Sequence, residues 1–501
     1  MNPTTAPHAT GKQIAKGAAW LMGFKLLDKS IGLVSTLVLV RVLTPSDFGL
    51  VAMAMAVVAL LELMGAFGFD SALIQRQDTA RSHFDTAWTF NVIFGVCIAL
   101  FLVAMAVPAA AFYREPRLEQ MLPVLAIGAV VGGFENIGTV AFRKELNFRM
   151  EFIYLFIKRI AVFVVVVTLA LTLRSFWALI FATIAGKVMA VLISYLLHPY
   201  RPKFSLAARG DLFNFSKWLF ISNLIQFLHS RSTDFILGRT VGSYGLGVYN
   251  LAAEISAMPS TELIAPLNRA VYPAYAQLAR ARDKLLVRFL EVYSLINLIS
   301  FPVALGLFCL SELVVALLLG PQWVDAVPIL QILGLCGLLG ALQGNMYVVM
   351  SAMGKPKANT LLSASLLVVS LPAVVWASLQ YGALGAAYAH FFSALVGFAG
   401  IVVVFTLVTG TTKAQLLAVM WRPMLASILM ALVVAAADRM TAHLGWDVHA
   451  AVRLLALTAL GAVTYTLVIS AMWWLQGRPQ SAEKVVLKFL IGKFVARRRE
   501  T

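Results

Sequence analysis

The chain has 501 residues, 60% of them hydrophobic and only 13% charged, with a mean hydropathy of +0.86. A soluble globular domain is about half apolar and a quarter charged, so this composition excludes one and gives an all-α polytopic membrane protein. The net charge of +17 raises nucleic acid as a partner, a reading that only the placement of the charge can decide.

The opening MNPTTAPHATGKQIAKG is polar and lacks the apolar core and small-residue cleavage site of a signal peptide, so the first helix is expected to be a retained anchor. Apolar segments then run at about 18–43, 48–74, 87–112, 118–142, 152–173, 175–198, 212–238, 245–276, 287–310, 326–352, 358–379, 382–409, 414–442 and 450–475, which predicts about 14 transmembrane helices. The breaks hold turn residues and charges, as in Thr44-Pro45-Ser46-Asp47 and Gly354-Lys355-Pro356-Lys357. No loop is long enough for a soluble catalytic domain. With the N-terminus placed in the cytoplasm, 26 of the 40 Lys and Arg fall on that side, seven on the other and seven inside helices. The positive-inside rule then puts both termini in the cytoplasm. It also accounts for most of the +17, and no nucleic-acid partner is expected. The tail from Arg478, with Lys484, Lys488, Lys493 and Arg497–Arg499, is expected either to lie along the anionic leaflet or simply to anchor the topology.

The first segment carries charge where lipid would reject it. Lys25, Asp28, Lys29, Gly32 and Thr36 fall on one narrow arc of a helix. A charge at mid-bilayer costs about 2.5–3.5 kcal/mol on insertion scales, so the arc must face water or partners. Shifting the chain by 198 residues brings this stretch onto a second version of itself: Trp20 on Trp218, Leu39 on Leu237, Arg41 on Arg239 and Gly49 on Gly247. Lys25, Asp28, Gly32 and Thr36 map to Asn223, Gln226, Ser230 and Asp234, and Gly68 of a Gly65/Gly68 break maps to Pro266. The repeat predicts two pseudo-symmetric six-helix lobes around a central cavity, with two C-terminal helices appended. The expected divisions are 1–205 (N-lobe), 206–410 (C-lobe), 411–477 (helices 13 and 14) and 478–501 (basic tail).

The candidate cations of the cavity are Lys25, Lys29, Lys158, Arg159, Lys187 and Arg231. Asp28, Asn223, Gln226, Asp234, Glu254, Glu262 and Arg269 are candidates for its polar lining or for coupling. Spacing within one helix would pair Asp28 with Lys25 or Lys29, and Asp234 with Arg231. Lys158, Arg159 and Lys187 have no acid in their own segments; the first two could also snorkel to the cytoplasmic mouth. In the eighth segment Pro259, Pro266 and Pro273 recur every seven residues, as either a hinge or a static kink. Aromatics such as Tyr249, Tyr272 and Tyr275 are expected at the membrane interface. Cys97, Cys309 and Cys336 lie in apolar runs and the seven His are scattered, so no disulfide, metal or cofactor is expected.

The runs GAAW, RVLTPSDFGLVAMA, GFDSALIQRQD, FRKELNFR, FSKWLFISN, RSTDFILGRTVG and GVYNLA resemble the Wzx-type polysaccharide flippases of the multidrug/oligosaccharidyl-lipid/polysaccharide exporter superfamily. The resemblance covers helices 1 to 12. It implies lobes set in a V and alternating access that moves an undecaprenyl-pyrophosphate-linked oligosaccharide repeat unit from the cytoplasmic to the periplasmic leaflet of the bacterial inner membrane. It also implies a single working chain, membrane lipid and polysaccharide polymerase or export machinery as surroundings, and a cationic lumen that Lys25, Lys29 and Arg231 would supply. A multidrug–cation antiporter of the same superfamily would want unpaired acids in the cavity. A membrane glycosyltransferase or polymerase would want an acid or base on a large outer loop. Neither pattern is present, and no enzyme is expected.

Overall fold

The computed structural model describes residues 6–63, 69–75, 79–443 and 449–477. The Gly65/Gly68 break, the side chains of Trp218 and Gln226, and the basic tail lie outside the described residues.

The helices are α1 (Ala6–Val42), α2 (Pro45–Glu62), α3 (Phe69–Gln75), α4 (Arg81–Tyr113), α5 (Leu118–Gly133), α6 (Val140–Lys144), α7 (Phe148–Leu173) and α8 (Trp177–Leu197). They continue as α9 (Arg209–Pro259), α10 (Ala265–Leu278), α11 (Arg282–Val314), α12 (Ala326–Ala352), α13 (Pro356–Thr409), α14 (Lys413–His443) and α15 (Ala450–Leu475). Among the described residues nine are long and apolar enough to cross a bilayer, or ten with α5 and α6 taken as one span bent by 60°. Glycines divide the two longest. Gly242, at φ +73°, breaks the 51-residue α9, and Gly382, at φ +62°, breaks the 54-residue α13. These are left-handed positions that only glycine adopts freely. With both arms of α13, α1 and the two arms of α9 counted, the passes agree with the fourteen expected from hydropathy.

Packing divides the chain into two units, Met1–Gly247 and Val248–Thr501. In the first, a short break at Phe134–Asn136 turns the chain between α5 and α6. Asn136, fully buried, holds that break. Its Nδ2 donates to the Tyr200 carbonyl at 2.8 Å, its Oδ1 accepts from Gly138 N–H at 2.9 Å, and its own N–H donates to Ser194 Oγ at 3.0 Å. Gly138 completes the turn, because a Cβ there would lie 2.3 Å from His198 Nδ1. Asn136→Ala strands the buried Gly138 N–H and takes one donor from the Tyr200 carbonyl, which keeps Arg201 Nη1 at 2.9 Å, so thermal unfolding in detergent should show a loss of about 1–3 kcal/mol.

The 198-residue repeat is written into a contact. A Cβ on Gly49 of α2 would lie 1.7 Å from the Ser243 carbonyl oxygen, and one on Gly247 would lie 1.9 Å from that of Pro45. Ser243 and Gly247 are Pro45 and Gly49 shifted by the repeat, so the contact is reciprocal, as around a two-fold axis. The two copies differ just before it. Thr44 leaves the first helix and caps α2 with Asp47, whose carboxylate accepts the Thr44 N–H at 2.9 Å. At the matching point of the second copy the break is made by Gly242 itself, at φ +73°. Beside this contact, Arg117 grips Glu115 through two bonds of 2.7 and 2.8 Å and holds its carboxyl below the usual range.

The second unit has two apolar cores. One centres on Tyr275, Phe289, Tyr293, Met346 and Phe405, all fully buried, and joins α10, α11, α12 and α13. The other seats α14 and α15 on α11 through Leu310, Met430, Val434 and Tyr465, whose hydroxyl donates to the Leu298 carbonyl at 2.8 Å. Tyr275 and Tyr249 correct the interfacial expectation. Tyr275 is wholly buried with its hydroxyl on Asn345 Oδ1, and Tyr249 is buried against His390. Tyr272 is exposed.

Candidate functional site

Charged side chains of α1, α2, α7 and α8 and of the α5–α6 break form three cross-helix ion pairs in the first unit. On α1, Asp28 Oδ1 lies 2.8 Å from Arg159 Nε of α7, and Arg159 Nη2 also donates to the Asp28 carbonyl at 3.3 Å. The guanidinium passes over Gly32, where a Cβ would sit 2.8 Å from Nη2. That explains a glycine in the charged arc: it leaves room for the arginine. Lys158, one residue before, places Nζ 3.9 Å from Glu135 Oε1 and 5.5 Å from the Tyr154 ring centroid. The Tyr154 hydroxyl donates to the same Glu135 oxygen. On α8, Lys187 Nζ is 3.5 Å from Glu62 Oε1 at the end of α2, and its stem runs along Gly132 of α5.

These pairs revise two sequence expectations. The residue seated on Asp28 is Arg159, where spacing within one helix points to Lys25 and Lys29. Lys158, Arg159 and Lys187 each have an acid, supplied by another element and invisible to spacing along their own. Lys158 and Arg159 also stand well inside the 26-residue α7, which starts at Phe148, and Lys187 is the middle residue of α8. The six paired side chains are 33–48% exposed, half in contact with protein and half open. Lys25 is exposed, and among the described residues no carboxylate lies within ion-pair distance of it. Lys29 is exposed on the same helix.

The remaining candidates lie elsewhere. Arg231 pairs with Asp234 on α9 at 3.1 Å, as their spacing requires, and Asp234 is buried. Asn223 is exposed. In the second unit Glu254 is exposed, Glu262 accepts from Thr261 Oγ1 at 3.0 Å, and Arg269 Nε donates to the Ala265 carbonyl of its own helix at 3.4 Å. Pro259 and Pro266 flank a π-helical turn, Ser260–Ile264, whereas Pro273 lies within regular α10. Glu135 and Tyr154 escaped the sequence reading. Glu135 occupies a break between helical pieces, and Tyr154 sits among the aromatics that open α7.

The sequence profile of the family described as "Polysaccharide biosynthesis protein" matches residues 38–328, more than half of the chain. The chain belongs to that family. Its curated relatives include the lipopolysaccharide biosynthesis protein WzxC of Escherichia coli K12, 28% identical over 381 residues, which cover 74% of this chain and 76% of WzxC. They also include the succinoglycan biosynthesis transport protein ExoT of Rhizobium meliloti, 25% identical over 92% of this chain and 94% of ExoT. Among solved structures, this family member shares its fold with the lipid II flippase MurJ in an inward closed conformation. That likeness has a TM-score of 0.73 at 11% identity over 92% of this chain and all of that one. An inward-facing multidrug MATE transporter matches at a TM-score of 0.59 and 16% identity over 77% of this chain and 96% of its own. The α1–α7–α8 ion pairs therefore belong to a polysaccharide biosynthesis protein built on a transporter fold.

Proposed function

We propose that the protein is a flippase that moves an undecaprenyl-pyrophosphate-linked oligosaccharide from the cytoplasmic to the periplasmic leaflet of the bacterial inner membrane, with both termini cytoplasmic. The observation that carries the reading is the balance of charge on the first unit's polar face. Lys25, Lys29, Lys158, Arg159 and Lys187 outnumber Asp28, Glu62, Glu135 and the Asp70 that lies within electrostatic reach of Glu135 and Tyr154. A site with surplus cations deep in apolar helices attracts an anion and repels an organic cation. A lipid diphosphate, whose oxygens accept from several cations together, fits that chemistry. The curated relatives named for lipopolysaccharide biosynthesis and succinoglycan transport support the same cargo class.

The mechanism is alternating access between lobes 1–205 and 206–410, with 411–477 appended. A single chain supplies the path, and polymerase or export machinery receives the product. The chain carries out no covalent step. Arg231, balanced by Asp234, is the cation that α9 would add to the path, and Asn223, Glu254, Glu262 and Arg269 are the candidates for coupling. The π-helical turn between Pro259 and Pro266 supplies the bend, because such turns free backbone carbonyls and recur at functional positions.

The test is the sidedness of a short-chain polyprenyl-pyrophosphate oligosaccharide in vesicles holding the wild-type chain. Movement of that lipid across the bilayer, above protein-free vesicles, is the expected result. Export of an organic cation against a Na⁺ or proton gradient, with no movement of the lipid, would make it a multidrug antiporter instead.

A further inference from the structure

Four charges, Asp28, Lys158, Arg159 and Lys187, stand well inside apolar helices, and each costs about 2.5–3.5 kcal/mol to place at mid-bilayer. Half-exposed ion pairs are worth about 1 kcal/mol or less. Pairing for stability therefore does not account for their presence. Apolar residues at these positions would give a firmer α1–α7–α8 contact.

We propose that Asp28, Glu62 and Glu135 are place-holders for the substrate anion. They neutralise Arg159, Lys187 and Lys158 while the transporter is empty, and give them up when a diphosphate arrives. The inference rests on the flippase reading above and adds the role of the acids. Three features support it. Every acid is provided by an element other than that of its cation, so a small shift of one helix parts the pair. The paired groups are half open, so an anion can reach them without unfolding anything. The Arg159 guanidinium packs over Gly32, where a Cβ would lie 2.8 Å from Nη2, so it is seated by shape as well as by Asp28 and keeps its place when the carboxylate is released.

Exchange of this kind solves a problem that alternating access creates. An empty carrier has to reorient as well as a loaded one, and a cluster of bare cations would make the empty passage costly. With carboxylates in place each of the three paired cations is neutralised, and a bound diphosphate neutralises them in turn. The acids compete with substrate in one half of the cycle and stand in for it in the other. Lys25, which among the described residues has no carboxylate within ion-pair distance, gives an arriving anion its first contact.

Competition makes an uncommon prediction: removing a charge should strengthen binding. The full-length wild type, Asp28→Asn and Glu135→Gln are titrated in detergent with inorganic pyrophosphate by calorimetry. Both amide variants keep the shape of the acid and should bind roughly three- to ten-fold more tightly than wild type. In vesicles the same variants should show a lower KM and a lower kcat, since the empty site no longer balances itself. A purely structural pair would move neither in that direction. Arg159→Ala in the Asp28→Asn background should bind no better than Arg159→Ala alone. Unchanged or weaker pyrophosphate binding in both amide variants, with thermal midpoints kept, overturns the place-holder role and leaves the flippase reading standing. If wild type neither binds pyrophosphate nor moves the lipid, both fall together.

Discussion

Gly49→Val is expected to abolish transport and to lower stability by more than about 3 kcal/mol, and Gly247→Val to do the same. Overpacking a core typically costs about 1–3 kcal/mol because side chains move aside. Here the obstacle is main chain. The new Cβ would fall 1.7 Å from the Ser243 carbonyl oxygen at one site and 1.9 Å from that of Pro45 at the other, and neither can rotate away. The start of α2 and the arm of α9 after Gly242 would have to separate. Because the contact is reciprocal, the two variants should have nearly equal effects, and the double variant should add little, since either alone parts the helices. Thermal unfolding and vesicle transport measure both. Gly23→Ala is the control. Nothing lies within 4 Å of that position, so a helix residue better than glycine should leave transport intact. Tolerance of Gly49→Val equal to that of Gly23→Ala would show that the Gly49–Gly247 approach opens freely.

That glycine pair shows what could be read from sequence. The repeat was legible because the offset of 198 aligns Gly49 with Gly247 and Arg41 with Arg239. The meeting of the two glycines was not, since no periodicity says that two repeat-related positions touch. Hydropathy found the fourteen passes, because each must present about 20 apolar residues to lipid. Their interruptions were harder. The second pass stops at Glu62 and resumes as α3 at Phe69, and the fourth is bent around Asn136. The bend at Asn136 rests on hydrogen bonds with distant segments, to the Tyr200 carbonyl and from its own N–H to Ser194.

The same limit governs the charges. Arg231 and Asp234 lie three residues apart on one helix, so spacing alone pairs them. Asp28 had two candidate partners at helical spacing and is held by a third, Arg159, from 131 residues away. Sequence reasoning sees neighbours along a helix and cannot see which helix lies alongside. One local clue was present. Gly32, one turn after Asp28, left a gap in a row of large residues, and that gap is where the arginine passes.

Arg159→Ala should reduce lipid transport at least tenfold, more than any other single cation change on this face. Lys25, Lys29, Lys158 and Lys187 are the other cations of this face and none has a planar fork, so the loss of Arg159 removes a bidentate contact that the adjacent Lys158 cannot replace. It also leaves Asp28 without its counter-charge in the middle of α1. Two effects therefore combine: a lost substrate contact and an uncompensated carboxylate. Companion variants separate them. Arg159→Lys restores the charge and the balance against Asp28 but not the fork, so recovery of folding with transport still reduced assigns the fork to substrate. The double variant Asp28→Asn/Arg159→Ala removes the stranded carboxylate. If it regains stability yet stays inactive, the arginine acts on the cargo. If it regains transport, the pair serves only to balance itself, and the anion is bound by Lys25, Lys29, Lys158 and Lys187 without it.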